Sequence, residues 1–272
     1  MKIELVSYSS YCRFAGSYKN EGGFKAAIMR KVLANSISDI VVFPCSSILS
    51  LTDFQSIVND PTVTIKAKIV VFEVSSFKKT QEVKRANSKK PVFDGQGYCY
   101  DIKSKQFIIN ALNQKYATGA DLNRWPCLFC EMYDEWKKGL RSFNYDGKRF
   151  TILVCGETAM LKCDMVNKQI GPAAFRIPSP QASAKYGQIM AGTDVFLNPI
   201  LTTQGNQGKI KKRREAFSSD GRYYFSNASL EKGKVTAKHS SLQYAVHNGA
   251  ALQPISEGVT QTAEYISRVF TI

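Results

Sequence analysis

Cys155 is the residue in this chain best suited to act as a nucleophile. It ends the run FTILVC and is followed by Gly156 and Glu157. A buried strand that runs into Cys-Gly can turn sharply, because Gly accepts backbone angles that a Cβ would obstruct. The turn presents the thiol at the edge of the sheet and lets the next backbone N–H groups face a developing oxyanion. A free thiol ionises only near pH ~8.5, so it needs help. A nearby Lys lowers that value and stabilises an oxyanion, and a nearby carboxylate serves as general base. The bland alternative is a small, inert Cys at the end of a buried strand.

Elements that would position such a group alternate between strand and helix. Residues 2–8 read as a strand, and residues 22–37 as a helix with Phe24, Ile28, Val32 and Leu33 on one face. Ile40 to Phe43 and Ile65 to Val74 are apolar on both faces, as strands in a sheet covered by helices are. Residues 77–90 are polar and Lys-rich, suiting a loop or an exposed edge. Tyr98 to Ile109 reads as a hairpin turning near Asp101–Ser104. Further strands are expected at Phe150 to Val154, Thr193 to Leu197 and 222–228, with a helix over Ala182 to Ala191. The last thirty or so residues are weakly patterned and suit an extension or a dimer-contact segment. Together these elements predict one α/β domain spanning 1–272. Sites in such folds lie at the carboxyl ends of strands. That directs attention to Cys45 after Pro44, to Glu73, to Cys155 and to Asn198-Pro199.

Composition bounds the possibilities. The chain has 272 residues, 44% hydrophobic and 22% charged, which excludes disorder as its main state. No apolar run approaches the ~20 residues of a bilayer span. The amino-terminal MKIELVSYSS has no signal-like apolar core. Seven cysteines, an odd number, then suit reduced thiols in a cytoplasmic setting. The net charge of +15 fits either a polyanionic partner or a surface covered by lysines.

Other signals carry less. Cys127-x-x-Cys130 has ligand-like spacing, but structural zinc takes four ligands and no second such pair exists, so a loop or core pair is favoured and no metal is expected. His239 and His247 read as surface or hydrogen-bonded histidines. KIKKRR, Lys209 to Arg214, could clamp phosphates or form a solvated loop, as could the stretch holding Lys84, Arg85, Lys89 and Lys90. The glycine clusters at 95–97 and 205–208 lack the context of a nucleotide fingerprint, so no cofactor is expected. Trp125, Phe129, Tyr133 and Trp136 have helical spacing and suit a core or a dimer interface.

Several motifs, taken in order, resemble the nitrilase superfamily of carbon–nitrogen hydrolases. SDIVVFPC resembles that family's "vvFPE" strand, FTILVCGE its nucleophile strand, AGTDVFLNP its "GADvilnP" strand and MKIELVSYSS its first strand. The resemblance covers roughly residues 1–230. It implies a four-layer αββα sandwich, self-association, and a Glu–Lys–Cys triad acting on a non-peptide amide or nitrile through a thioester. Carried over, Cys155 is the nucleophile. Lys105 is the favoured catalytic Lys, since KQFI resembles the context of that residue, with Lys103 as the alternative. Glu131 or Glu135, in CEMYDEW, would be the second Glu found in many members.

One departure is conspicuous: the "FPE" glutamate falls on Cys45. A thiol does not simply replace a carboxylate of pKa ~4.3. Glu73 could take over as base, the Cys45/Cys155 pair could run different chemistry, or the protein could be a catalytically impaired binding or regulatory relative. A nucleic-acid-binding protein is the reading from another class, resting on +15 and KIKKRR.

Overall fold

The computed structural model describes residues 1–8, 18–75, 90–91, 93, 95–200, 207–228, 242–262 and 264–272, with side chains from residue 23 in the first helix. The Lys-rich positions 84, 85 and 89, and His239, lie outside the described residues.

Two sheets stack face to face. The first contains β1 (Lys2–Tyr8), β2 (Ile40–Val42), β3 (Ile69–Val74), β4 (Gln96–Asp101), β5 (Gln106–Asn113), β14 (Val259–Gln261) and β15 (Tyr265–Thr271), in the order β14-β15-β1-β2-β3-β4-β5. The second contains β6 (Ser142–Tyr145), β7 (Lys148–Ile152), β10 (Val195–Pro199), β11 (Tyr223–Asn227), β12 (Gln243–His247) and β13 (Ala250–Ala251), in the order β13-β12-β11-β10-β7-β6. β8 (Leu161–Val166) and β9 (Gln169–Phe175) form a separate hairpin. The helices are α1 (Tyr18–Asn35), α2 (Leu51–Val58), α3 (Gly119–Arg124), α4 (Cys127–Lys137), α5 (Pro180–Ala191) and α6 (Gln207–Phe217).

Three apolar layers separate four structural ones. Ile3, Leu5, Ile40 and Val42 meet Phe150, Ile152, Val195, Leu197 and Phe225 between the sheets. Val41, Phe43, Val70 and Phe72 face the other way, onto Ile28 and Val32 of α1 and Phe54 and Ile57 of α2. Leu153, Phe196 and Tyr224 face Phe129 and Met132 of α4, Ile189 of α5 and Phe217 of α6. Strands buried on both faces explain the unbroken apolar runs in the sequence. This is the expected αββα sandwich.

β1, β2 and β3 run parallel, as do β7, β10 and β11. Their carboxyl ends meet at one edge. Asn227 Nδ2 donates to the Val6 and Val42 carbonyls at 2.5 and 2.8 Å, and Gln243 Nε2 to Leu5 O at 2.7 Å. These bonds tie one sheet to the other at that edge.

The weakly patterned carboxyl-terminal residues are not an extension. β15 lies inside the first sheet, antiparallel to β1 along its whole length, and β12 pairs with β11. KIKKRR is likewise not a loop: it falls within α6, with Lys211 exposed and Arg214 buried. Cys127 and Cys130 lie on α4, the first of them exposed. Phe129, Tyr133 and Trp136 are core residues of the same helix.

Candidate active site

β7 delivers Cys155 to the shared edge. The chain passes into a 3-10 turn, Cys155–Met160, with Cys155 itself at φ 45. A non-glycine residue in this region is strained by about 1–3 kcal/mol and persists only where its surroundings fix it. Here they do. Glu157 accepts from the Val154 N–H at 2.8 Å, and Asn198 Nδ2 donates to the carbonyls of Leu153 and Cys155 at 2.6 and 3.1 Å. A Cβ on Gly156 would collide with the Ala117 carbonyl, so only glycine fits between the turn and the chain after β5.

Cys45 follows β2 and is 3% exposed. Its Sγ donates to Pro199 O at 3.1 Å, and its N–H donates to Ile200 O at 3.3 Å. Hydrogen bonding with Cys155, burial and the charge of Glu73 hold the Cys45 thiol well above its ordinary value. These surroundings disfavour a Cys45 thiolate. Glu73 is the penultimate residue of β3 and is also hydrogen-bonded to Cys45. Burial pushes its carboxyl above the ordinary value, against the opposing effects of Cys45, the Ser46 N–H and Lys25. The Ser46 N–H donates to Glu73 Oε1 at 2.9 Å, and Lys25 Nζ donates to Ser46 O at 2.7 Å. Cys155, Cys45 and Glu73 thus form one continuous row.

Lys105 and Lys103 are elsewhere. Both are exposed in the turn between β4 and β5. Because β4 runs antiparallel to β3, with Asp101 opposite Ile69, this turn lies at the amino-terminal end of β3, the far side of the sheet from Glu73. The return strand β5 leads back to the site edge, and the lysine there is Lys115. Its N–H donates to Glu157 Oε1 at 2.8 Å and its ammonium pairs with Glu135. Glu131 instead is solvent-exposed and pairs with Lys90.

Behind Lys115 lies a buried ionic cluster that sequence reasoning missed. Arg141 is 0% exposed. It donates to Glu135 at 2.7 Å, to Glu157 at 2.6 Å and to Asn113 O at 2.8 Å. Burial pulls its guanidinium down, but the two carboxylates more than offset this and the net direction is up. Glu157 thus links the Cys155 turn, Lys115 and Arg141. His247 sits apart, stacked on Tyr223 with Nδ1 3.2 Å from Arg222 O.

No family model matches the sequence, and no curated protein matches it. Solved structures do. The chain is similar to a mutant of the amidase from Nesterenkonia sp. AN1 that shows covalent addition of the acetamide moiety of fluoroacetamide at its active-site cysteine. That likeness has a TM-score of 0.55 at 9% identity, over 100% of this chain and 90% of the other. A second mutant of that amidase from the nitrilase superfamily, with its cysteine changed to serine, gives 0.50 at 9% identity, over 100% and 91%. A CN-hydrolase superfamily protein from Xanthomonas campestris with an arsenic adduct in its active site gives 0.49 at 11% identity, over 100% and 90%. The fold is that of the nitrilase superfamily.

Proposed function

We propose that this protein hydrolyses, or transfers the acyl group of, a non-peptide amide or nitrile through a thioester on Cys155. The reading rests on one observation: Cys155 is held at positive φ at a strand end, with the Cys45–Glu73 row on one side and the Lys115 segment on the other. The likeness to amidases supports it through the fold they share.

For an amide, the Cys155 thiol loses its proton as its sulfur attacks the carbonyl carbon. Glu73 takes the proton, with the Cys45 thiol relaying it. The Lys115 ammonium stabilises the oxyanion, and Glu135 holds that ammonium in place. The C–N bond breaks, the nitrogen leaves as ammonia or an amine carrying the proton from Glu73, and a thioester remains. Water then attacks the thioester with Glu73 again as base, releasing the acid and restoring the thiol. Homo-oligomerisation belongs to the same proposal, from the resemblance alone.

Intact-mass spectrometry after brief exposure to limiting iodoacetamide tests the reading, with p-nitrophenyl acetate as an acyl donor. Fast single labelling and an acetylated enzyme, both absent from Cys155→Ala, are expected. Slow labelling spread over several cysteines and unchanged in Cys155→Ala would sink it. The second reading, a catalytically impaired binding protein, then leads; Cys45 at the position where the resemblance expects Glu favours it. The nucleic-acid reading loses weight because part of KIKKRR is turned into the protein.

A further inference from the structure

Arg213 and Arg214 end the basic run on α6 and point inward. Arg214 is 4% exposed, and its guanidinium lies over the Tyr244 ring, 3.3 Å from the centroid. Among the described residues the buried Nε–H groups of Arg213 and Arg214 have no hydrogen-bond partner, and Ser226 Oγ is buried beside them. The three converge. Ser226 stands directly opposite Tyr244 in the β11–β12 register. The Tyr224 hydroxyl lies within hydrogen-bonding reach of both Ser226 and Arg214, and the charge of Arg213 also acts on it. Arg176, anchored by its Nε to Ala159 O at 2.8 Å, lies close enough to Arg213 for their charges to oppose. Among the described residues no carboxylate forms an ion pair with Arg213 or Arg214, and the adjacent Glu215 pairs with Lys212.

A buried guanidinium without a counter-charge is strongly destabilising, and each unmet buried donor adds to that. The unmet nitrogen atoms here can only donate, and the serine hydroxyl can donate as well. Their missing counterpart is therefore an acceptor with negative charge. Planar guanidinium forks suit carboxylate and phosphate oxygens, and aromatic walls keep competing water out.

We propose that Arg213, Arg214 and Ser226 form a binding site for an anionic oxygen group, a carboxylate or a phosphate. It lies two side chains behind the nucleophile: Tyr224 Oη donates to Asn198 Oδ1 at 2.7 Å, and Asn198 Nδ2 donates to Cys155 O at 3.1 Å. The anion belongs either to the substrate itself or to a separate small ligand. Only the substrate source rests on the acyl-transfer reading.

Calorimetric titration of the full chain with inorganic phosphate and with succinate, at ionic strength fixed by sodium chloride, tests the site. Saturable binding of at least one of them is expected, weakened about tenfold or more in Arg213→Gln, weakened in Ser226→Ala and unchanged in Lys211→Gln. Either of two results would overturn the proposal: no saturable binding by the folded wild type, or a loss as large in Lys211→Gln as in Arg213→Gln. The ion that binds is then set against iodoacetamide labelling of Cys155. Protection, lost in Arg213→Gln, marks the anion as part of the substrate; binding without protection marks a separate ligand. Both sustain the site. Absence of labelling at Cys155 strikes the acyl-transfer reading and leaves the binding result standing.

Discussion

The thiol of Cys45 lies within hydrogen-bonding reach of Cys155. Both residues are anchored to the end of one strand, Cys45 through Pro199 O and Cys155 through Asn198 Nδ2. The position where the resemblance expects a carboxylate thus holds a second thiol against Cys155.

Hydrogen peroxide should convert this pair to a disulfide. Peroxide oxidises Cys155 to a sulfenic acid and releases water; the Cys45 sulfur then attacks, and a second water leaves. Intact mass should fall by two hydrogens, with both residues in one linked peptide, and iodoacetamide labelling of Cys155 should stop until dithiothreitol is added. Cys45→Ser should stall at a sulfenic acid trapped by dimedone. Peroxide treatment that leaves both thiols free to alkylate would contradict the proximity.

Lys115 and Lys105 separate cleanly. Lys115→Ala should reduce acylation of Cys155 by p-nitrophenyl acetate about 10²–10³-fold, the scale for loss of one oxyanion donor. Lys105→Ala, far from the edge, should change it by less than about twofold. Equal effects from the two variants would remove Lys115 from the site.

Glu73 sets a pH dependence with a defined sign. As the proposed base it must be ionised, and burial raises its carboxyl above the ordinary value. The acid limb of kcat/KM should therefore lie above the ordinary carboxylate range. Glu73→Gln should abolish the limb and lower the rate about 10²–10⁴-fold. The same shift acts on stability. Between the ordinary value and the raised one, the folded state binds the proton that the unfolded state has lost, so stability falls as pH rises through that window. Urea titrations across this window should show that slope in wild type and a flatter one in Glu73→Gln.

How much of this was legible in the sequence depended on how local the signal was. The buried parallel strands and Cys155 announce themselves through unbroken apolar runs ending in small residues. Lys115 is not legible because the alternating pattern of the hairpin's return strand fades after Ile109. β5 continues to Asn113, but the pairing is irregular opposite Cys99, Ala111 adopts φ 55, and both break the period of two. Following the strand to its true end would have found Lys115. β15 gave little signal because its partner, β1, lies more than 250 residues away in the chain. Arg141 and Lys25 are single charged residues whose burial depends wholly on tertiary partners, so nothing adjacent in the sequence marks them.

The Glu135–Arg141–Glu157 cluster makes the last prediction, about stability and site geometry together. Removing one partner of a buried ionic group leaves uncompensated charge and costs about 3–5 kcal/mol. Arg141→Met should fall in that range by urea denaturation, since Glu157 is 0% exposed and would keep a buried carboxylate. Glu157 also holds the Val154 N–H and the Lys115 N–H, so its loss loosens both the Cys155 turn and the Lys115 segment. Glu157→Gln should therefore slow iodoacetamide labelling of Cys155 as well as destabilise the fold, whereas Glu131→Gln, exposed at the surface, should do neither. A Glu157→Gln variant that labels at the wild-type rate would show that the turn is held without it.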